Sequence, residues 1–195
     1  MPKPLFDHFR FAAPIYERFS DNGAIQGKVA EPLTLPIDGW LLDAGGGTGR
    51  VSKGLASQTG GVVVADASPG MLRQAGQKPG LLPVYAHVEH LPFADECFER
   101  ILIVDAFHHF FHHGQAVTEL WRILKPGGRL VIHEPNIARW PVKLIALVET
   151  LLLMRSRFFR AEEFRQMFEG QENAKVTINT DGDRFYIQTV AEKPP

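Results

Sequence analysis

The sequence predicts an α/β fold with a doubly wound, mainly parallel seven-stranded sheet that ends in an antiparallel strand pair. Short apolar runs alternate with helical segments from Trp40 onward, a glycine-rich turn follows the first run, and two alternating runs flank an Asp-Gly pair near the carboxyl terminus. Strands separated by helices are typical of right-handed βαβ units. We therefore expect parallel strands with helices on both faces of the sheet.

The first 35 residues carry no strand pattern. Phe11, Ile15 and Phe19 recur at helical spacing, and prolines interrupt the segment. This pattern predicts a helical piece that lies over the core.

Five apolar runs predict the parallel strands. They are residues 40–44, 61–66, 82–86, 100–105 and 128–133. After the second run, Ser68 is the expected N-cap of a helix that has Pro69 in its first position.

The segment at 138–154 has helical periodicity and is apolar over much of its surface, including Leu144 and Leu147. We expect a packed core helix, and a wall or lid for an apolar substrate is the alternative. Arg155, Arg157 and Arg160 follow it. They are expected to complement the helix dipole in solvent, with contacts to an anionic headgroup as the alternative.

The end of the chain predicts a β-hairpin. Residues 174–179 and 184–190 alternate in polarity and flank Asp181-Gly182, a strong turn signal.

Composition predicts one globular domain. The chain has 195 residues, of which 45% are hydrophobic and 22% charged. We divide it into an N-terminal helical cap (1–35), a cofactor-binding core (36–135), a variable helical substrate region (136–170) and a terminal hairpin (171–195).

Charge and cysteine content limit the partners and the location. The net charge of −1 does not predict nucleic-acid binding, and a single cysteine, Cys97, excludes an internal disulfide. The amino terminus lacks a signal-peptide core, and Lys143 and Glu149 interrupt the longest apolar stretch. We expect a cytoplasmic protein without stable membrane insertion, and the oligomeric state stays open.

The glycine-rich turn predicts a small-molecule site. Asp43 precedes Gly45, Gly47 and Gly49, and glycine backbone can approach a ligand closely beside a helix N-terminus. Arg50 stands where a dinucleotide fingerprint has glycine or alanine, which disfavours NAD. A tight turn without a ligand is the alternative.

Asp66 is the second candidate binding residue. It ends the second apolar run 21 positions after Gly45, the separation expected for an acid that binds ribose hydroxyls. The alternative is a cap for the following helix.

A histidine cluster, residues 108–113 with two phenylalanines, follows the fourth run. His108 or His109 is a candidate general base, because imidazole titrates near neutrality, and a packed structural histidine is equally expected. The cluster lacks the His-Glu-x-x-His arrangement, so we expect a turn and no metal site.

Three motifs occur in one order along the chain: the glycine turn, residues 87–101 with Leu91-Pro92-Phe93, and Leu124-Lys125-Pro126-Gly127-Gly128. They resemble class I S-adenosylmethionine-dependent methyltransferases, and residues 6–19 resemble the small-molecule branch with the ubiquinone and menaquinone biosynthesis enzymes. This resemblance implies a Rossmann-like sheet with the last strand inserted between the fifth and sixth. It also implies S-adenosylmethionine as the cofactor and S-adenosylhomocysteine as the product.

The resemblance also implies roles for individual residues. Gly45 and Gly47 would approach the methionine and ribose portions, Asp66 would hold the ribose, and Asp43 would orient the ammonium group. Ala67, His87 and Val88 would surround the adenine, while Gly49 and Asp105 line the same crevice. His87 stands where many relatives have an aspartate, which puts that hydrogen bond to adenine in doubt.

The predicted function is methyl transfer to a small, apolar or aromatic acceptor at oxygen or carbon. Asn/Asp-Pro-Pro-aromatic and Pro-Cys motifs are absent, which disfavours methylation of DNA bases. One alternative is a non-catalytic adenosyl-ligand-binding or regulatory protein with this fold. A less favoured one is an NAD-dependent oxidoreductase.

Overall fold

The computed structural model describes residues 22–151, 156–180 and 186–195, with backbone alone at 22, 145 and 148–151. The expected helical piece at Phe11, Ile15 and Phe19 lies outside these residues. Arg155 and the hairpin tip at Asp181-Gly182 also lie outside them.

Seven strands form one sheet in the order β3-β2-β1-β4-β5-β7-β6. They are β1 (Trp40–Ala44), β2 (Gly61–Asp66), β3 (Leu81–Tyr85), β4 (Phe98–Val104), β5 (Leu124–Pro135), β6 (Lys175–Asn179) and β7 (Tyr186–Glu192). The first five are parallel, and β7 is antiparallel to both β5 and β6. The predicted fold class, including the inserted last strand, is confirmed.

Helical segments connect the strands. They are α1 (Asn22–Ala30), a 3-10 helix (Ser52–Gln58), α2 (Pro69–Ala75), a 3-10 turn (Phe107–His109), α3 (His113–Ile123), α4 (Trp140–Leu151) and α5 (Ala161–Met167). Ser68 Oγ accepts a hydrogen bond from the Met71 N–H at 3.3 Å, which confirms the predicted N-cap of α2. The histidine cluster begins in the 3-10 turn after β4, in agreement with the expected turn, and its last member, His113, starts α3.

The sheet is buried on both faces. Leu41, with Val62 and Leu102, packs toward α1 and α2, whereas Leu42 and its neighbours pack toward α3 and α5. Burial of alternate residues on opposite faces explains why the parallel strands are almost wholly apolar. The strand order reverses between β1 and β4, which opens a crevice at their carboxyl ends.

The expectation of a packed core helix at 138–154 is wrong for one face of α4. Val142 is buried, but Trp140, Leu144 and Leu147 are 76%, 54% and 55% exposed. Among the side chains of α4 that the structure describes, the one at Val142 is buried. Arg157, farther along, is exposed and pairs with Glu163 at 3.7 Å, in agreement with its expected position in solvent.

Within the three described stretches, no helix is long and apolar enough to cross a bilayer.

Candidate active site

The loop after β1 contains three glycines with left-handed backbone. Their φ angles are +70° at Gly45, +55° at Gly47 and +68° at Gly49. A Cβ on Gly45 would lie 2.8 Å from Ala106 Cβ, whereas one on Gly47 would meet only Met71 Sδ at 3.8 Å. Gly45 therefore permits close packing, while the space beside Gly47 is open to a ligand.

Asp66 joins the loops that follow β1 and β2. Its carboxylate accepts hydrogen bonds from the Gly47 N–H at 2.9 Å and from the Ser68 N–H at 2.7 Å. The alternative role as the cap of α2 is wrong, because Ser68 performs it. A carboxylate has two oxygens with about four acceptor sites, which is the chemistry that binds ribose hydroxyls.

Asp43 lies beneath the loop. It is buried, and a Cβ on Gly46 would approach its Cγ to 2.4 Å. Burial raises the pKa of Asp43 to about 6, against the attraction of Arg50. The Asp43 carboxyl group therefore packs against the backbone of the glycine loop at Gly46.

Asp105 follows β4 and faces the same crevice. Its Oδ2 lies 2.8 Å from Arg50 Nη2, and its φ is +51°. Oδ1 is buried, and no described residue donates a hydrogen bond to it. Burial and the negative charge of Glu134 raise the pKa of Asp105 to about 6, although Arg50 opposes them.

The predicted adenine residues differ in their exposure. Ala67 is exposed directly after β2. The Val88 side chain is buried in the core, so Val88 could contact an adenine through its backbone. The His87 ring lies between Tyr85 and Phe111, at centroid distances of 6.4 and 6.0 Å. Aromatic rings therefore flank the position that the resemblance assigns to the adenine edge.

His108 forms a buried pair with Glu134. The Glu134 Oε2 to His108 Nδ1 distance is 2.5 Å, and Oε1 accepts from the backbone N–H groups of Ala106 and Phe107 at 2.7 and 2.8 Å. Burial alone would raise the pKa of Glu134, but His108 and these N–H groups hold it below its usual value. Glu134 is therefore a carboxylate, and His108 donates to it through Nδ1.

His109 has a different environment. Its Nδ1 lies 3.1 Å from Ser156 Oγ, and burial together with His108 lowers the pKa of His109 to about 3. It is neutral at physiological pH and only weakly basic. Of the two candidates, His108 has the arrangement of an activated base.

Residues 156–159 cover the histidine pair. Arg157 N–H donates to the His108 carbonyl oxygen at 2.8 Å, and the Phe158 ring stacks on the His108 ring at 4.5 Å. Phe159 anchors the segment in the core. The His108 imidazole is thereby screened from bulk water.

A cavity of about 190 Å³ lies on the other face of β5. His133 borders it and stacks on Tyr186 at 4.4 Å. Adjacent strand residues point to opposite faces, so this cavity is separate from the surroundings of Glu134.

Most of the predicted site residues meet at one edge of the sheet. Ala106 adjoins Gly45 and donates to Glu134, which links the glycine loop to the histidine pair. Among residues 22–151, 156–180 and 186–195, no group of three His, Cys, Asp or Glu side chains could hold a metal ion. The sequence reasoning missed Glu134, whose signal is a carboxylate at the end of an apolar strand.

Residues 42–132 match a family model described as a methyltransferase domain. The chain is 35% identical over 149 residues to the ubiquinone/menaquinone biosynthesis C-methyltransferase UbiE of Pseudomonas aeruginosa, covering 68% of this chain and 58% of that protein. It is 38% identical over 98 residues to the demethylmenaquinone methyltransferase of Clavibacter sepedonicus, covering 48% and 40%. The chain thus spans about half the length of the curated relatives it matches.

The fold also matches solved structures. A SAM dependent methyltransferase from Aquifex aeolicus superposes with a TM-score of 0.75 at 17% identity, covering 96% of this chain and 98% of that one. At this identity the likeness shows a shared fold.

Proposed function

Because residues 42–132 match a methyltransferase domain model, we propose that the chain transfers a methyl group from S-adenosylmethionine to a small acceptor. S-adenosylhomocysteine is the second product. One observation carries the proposal: the Gly47 N–H donates to Asp66 at 2.9 Å, so the glycine loop and the ribose-binding acid form one unit at the strand switch point.

The site suits this cofactor along its length. Gly47 leaves room beside the loop, and Asp66 offers acceptors to the ribose hydroxyls. The buried Oδ1 of Asp105, for which the described residues provide no donor, is suited to accept from the ammonium group. The cofactor supplies a methyl group on a sulfonium, and the protein positions it and excludes water.

We assign the adenine to the surface formed by Ala67, His87 and the backbone of Val88. The rings of Tyr85 and Phe111 beside His87 favour stacking over a charged hydrogen bond. Asp43, Gly45 and Gly49 act indirectly, by holding the shape of the loop.

We assign His108 as the general base. When the ring is neutral and Nδ1 donates to Glu134, Nε2 is its basic atom and would take the proton from the acceptor. Removal of that proton would make the acceptor a nucleophile for the methyl group that a bound cofactor would supply, with the cofactor's thioether as the leaving group. The negative charge of Glu134 stabilises the imidazolium that forms.

We propose a hydroxylated aromatic ring, such as a phenol or a hydroquinone, as the acceptor. The names of the relatives from Pseudomonas aeruginosa and Clavibacter sepedonicus support this class. Deprotonation of a ring hydroxyl activates either that oxygen or the adjacent ring carbon, so one base serves O- or C-methylation.

Three further proposals concern the domain organisation, the location in the cell and the partners of the chain. We propose that residues 1–195 act as one domain, in the cytoplasm and without nucleic acid; the net charge of −1 supports the last point. The NAD-dependent alternative is not supported, because the matched relatives are methyltransferases and Arg50, paired with Asp105, stands at the fingerprint position.

Calorimetric titration tests the proposed cofactor. S-adenosylmethionine and S-adenosylhomocysteine should both bind, since they share the portions that Gly47, Asp66 and Asp105 contact, and NAD should neither bind nor compete. Tight NAD binding with no heat from either adenosyl ligand would contradict the assignment.

A further inference from the structure

Helix α4 exposes a stripe of large apolar side chains. Trp140, Leu144 and Leu147 are all more than half exposed and recur at helical spacing. Val142 on the opposite side is buried, so the helix is held to the protein while its apolar stripe faces outward. Exposure of several large apolar residues on one surface element marks an interaction site.

Basic residues accompany this stripe. Arg139 and Lys143 are exposed beside it, and residues 139–160 contain five Lys or Arg and a single Glu, in a chain whose net charge is −1. Two of these basic residues, Arg139 directly before α4 and Lys143 within it, therefore border the apolar stripe. Apolar residues bordered by Lys and Arg on a helix too short to span a bilayer are the features of an interfacial helix.

A short turn places this helix near the site. Asn136 Oδ1 accepts from the Ala138 N–H at 2.9 Å, and the Asn136 carbonyl oxygen accepts from the Arg139 N–H at 3.0 Å. Trp140 thus begins α4 six residues after Glu134, beside the carboxyl ends of the strands. An external surface that binds the apolar stripe of α4 would therefore lie next to the crevice at the carboxyl ends of the strands.

We propose that α4 docks the protein on an anionic lipid surface, with Trp140, Leu144 and Leu147 in the interface and Arg139 and Lys143 among the headgroups. The docked helix brings the crevice to the place where an apolar acceptor dissolves. This delivery rests on the proposed function, whereas lipid binding itself does not.

A second copy of the chain is the other occupant to consider. An isologous contact through this stripe brings Arg139 and Lys143 of both copies together, and like charges oppose it. Three side chains also supply less area than a stable dimer requires. An anionic bilayer satisfies both the apolar and the charged residues.

Vesicle flotation tests the proposal with the full chain. The wild type should float with vesicles of phosphatidylcholine containing about 30% phosphatidylglycerol and much less with phosphatidylcholine alone. L144Q/L147Q should lower the partition coefficient at least roughly tenfold, because two leucines no longer enter the interface. R139Q/K143Q should weaken binding to the anionic vesicles only. Leu82→Gln, which alters a leucine that is 51% exposed on β3, is the matched control and should bind like wild type.

Fluorescence provides an independent readout. Emission should shift to the blue on adding anionic vesicles, and Trp140→Phe should abolish the shift while Trp40 and Trp121 remain. Absence of flotation by the wild type, or equal binding by L144Q/L147Q, would overturn the proposal. So would a wild-type dimer that L144Q/L147Q converts to a monomer without any vesicle binding. S-adenosylhomocysteine binding, measured in parallel, should be unchanged in L144Q/L147Q, so a failure of lipid docking is distinguishable from a failure of the proposed function.

Discussion

Glu134 Oε2 lies 2.5 Å from His108 Nδ1, although 26 residues separate the two along the chain. The other oxygen of Glu134 accepts from two backbone N–H groups in the same turn, so the carboxylate fixes both the turn and the imidazole. A ring that donates through Nδ1 presents Nε2 as its basic atom. Our proposal that the site is catalytic, and not only a binding site, rests on this pair.

Glu134→Gln should reduce kcat for methyl transfer by about 10²- to 10⁴-fold. The glutamine oxygen can still accept from the Ala106 and Phe107 N–H groups, but its NH₂ group faces Nδ1 and favours the wrong tautomer. Binding of S-adenosylhomocysteine should change little. Steady-state kinetics and calorimetry on the same preparation measure the two effects.

His109→Gln is the matched control for that variant. Because the pKa of His109 is near 3, we expect it to lack a proton-transfer role and its loss to leave the pH profile unchanged. If His109→Gln removes activity while Glu134→Gln retains it, our choice of base is wrong.

Gly47→Ala should weaken cofactor binding at least roughly tenfold, because the added methyl group occupies the space beside the loop. Gly127→Ala is the control, since Gly127 also has a left-handed φ, +71°, with no atom within 4 Å of the added carbon. Both variants should lose about 1–2 kcal/mol of stability through backbone strain. Equal cofactor affinity in the two, measured by calorimetry, would show that no ligand lies beside Gly47.

Asp66→Asn should weaken cofactor binding by roughly 1–3 kcal/mol, because an amide replaces a charged acceptor of the ribose hydroxyls. Ser68→Ala separates this effect from a structural one. It removes the cap of α2 and should cost about 1 kcal/mol of stability with affinity unchanged. If Asp66→Asn lowers the Tm but leaves cofactor affinity unaltered, Asp66 holds the two loops together and does not bind the ribose.

Cofactor affinity should fall as the pH drops below about 6. The pKa of Asp105 in the free protein is raised to about 6, and only its ionised form attracts an ammonium group. Binding therefore has its full strength above that pKa, and Kd should rise by up to about tenfold per pH unit below it. Calorimetry with S-adenosylhomocysteine from about pH 5 to about pH 8 measures this.

Asp105→Asn should flatten most of this dependence. Asp43 also titrates at about 6, so a residual slope is expected. A slope identical to that of the wild type would remove Asp105 from the ammonium site.

The local pattern located every strand and the helix that Ser68 caps, although β4 and β5 begin earlier than predicted, at Phe98 and Leu124. Strand β1 and strand β2 have the predicted bounds, because fully buried parallel strands are continuous apolar runs with clear ends. The Asp66 position was predictable for a related reason: an acid after such a run must lie at the carboxyl edge.

Side-chain pairs between residues that are far apart in the sequence could not be predicted from local pattern. Arg50 and Asp105 are 55 positions apart, and only the β1 to β4 pairing brings them together. The exposure of Leu144 and Leu147 was missed because helical periodicity shows which residues share a face but not what covers it.

Transfer of a labelled methyl group is the most direct test of the account. The purified chain is incubated with S-adenosylmethionine labelled in its methyl group and with demethylmenaquinone reduced to its hydroquinone, or with simpler hydroquinones, and the products are analysed by mass spectrometry. We predict labelled acceptor and an equal amount of S-adenosylhomocysteine from the wild type, and neither above background from His108→Gln. Tight cofactor binding without transfer to any of these acceptors would contradict the account and favour a non-catalytic adenosyl-binding protein.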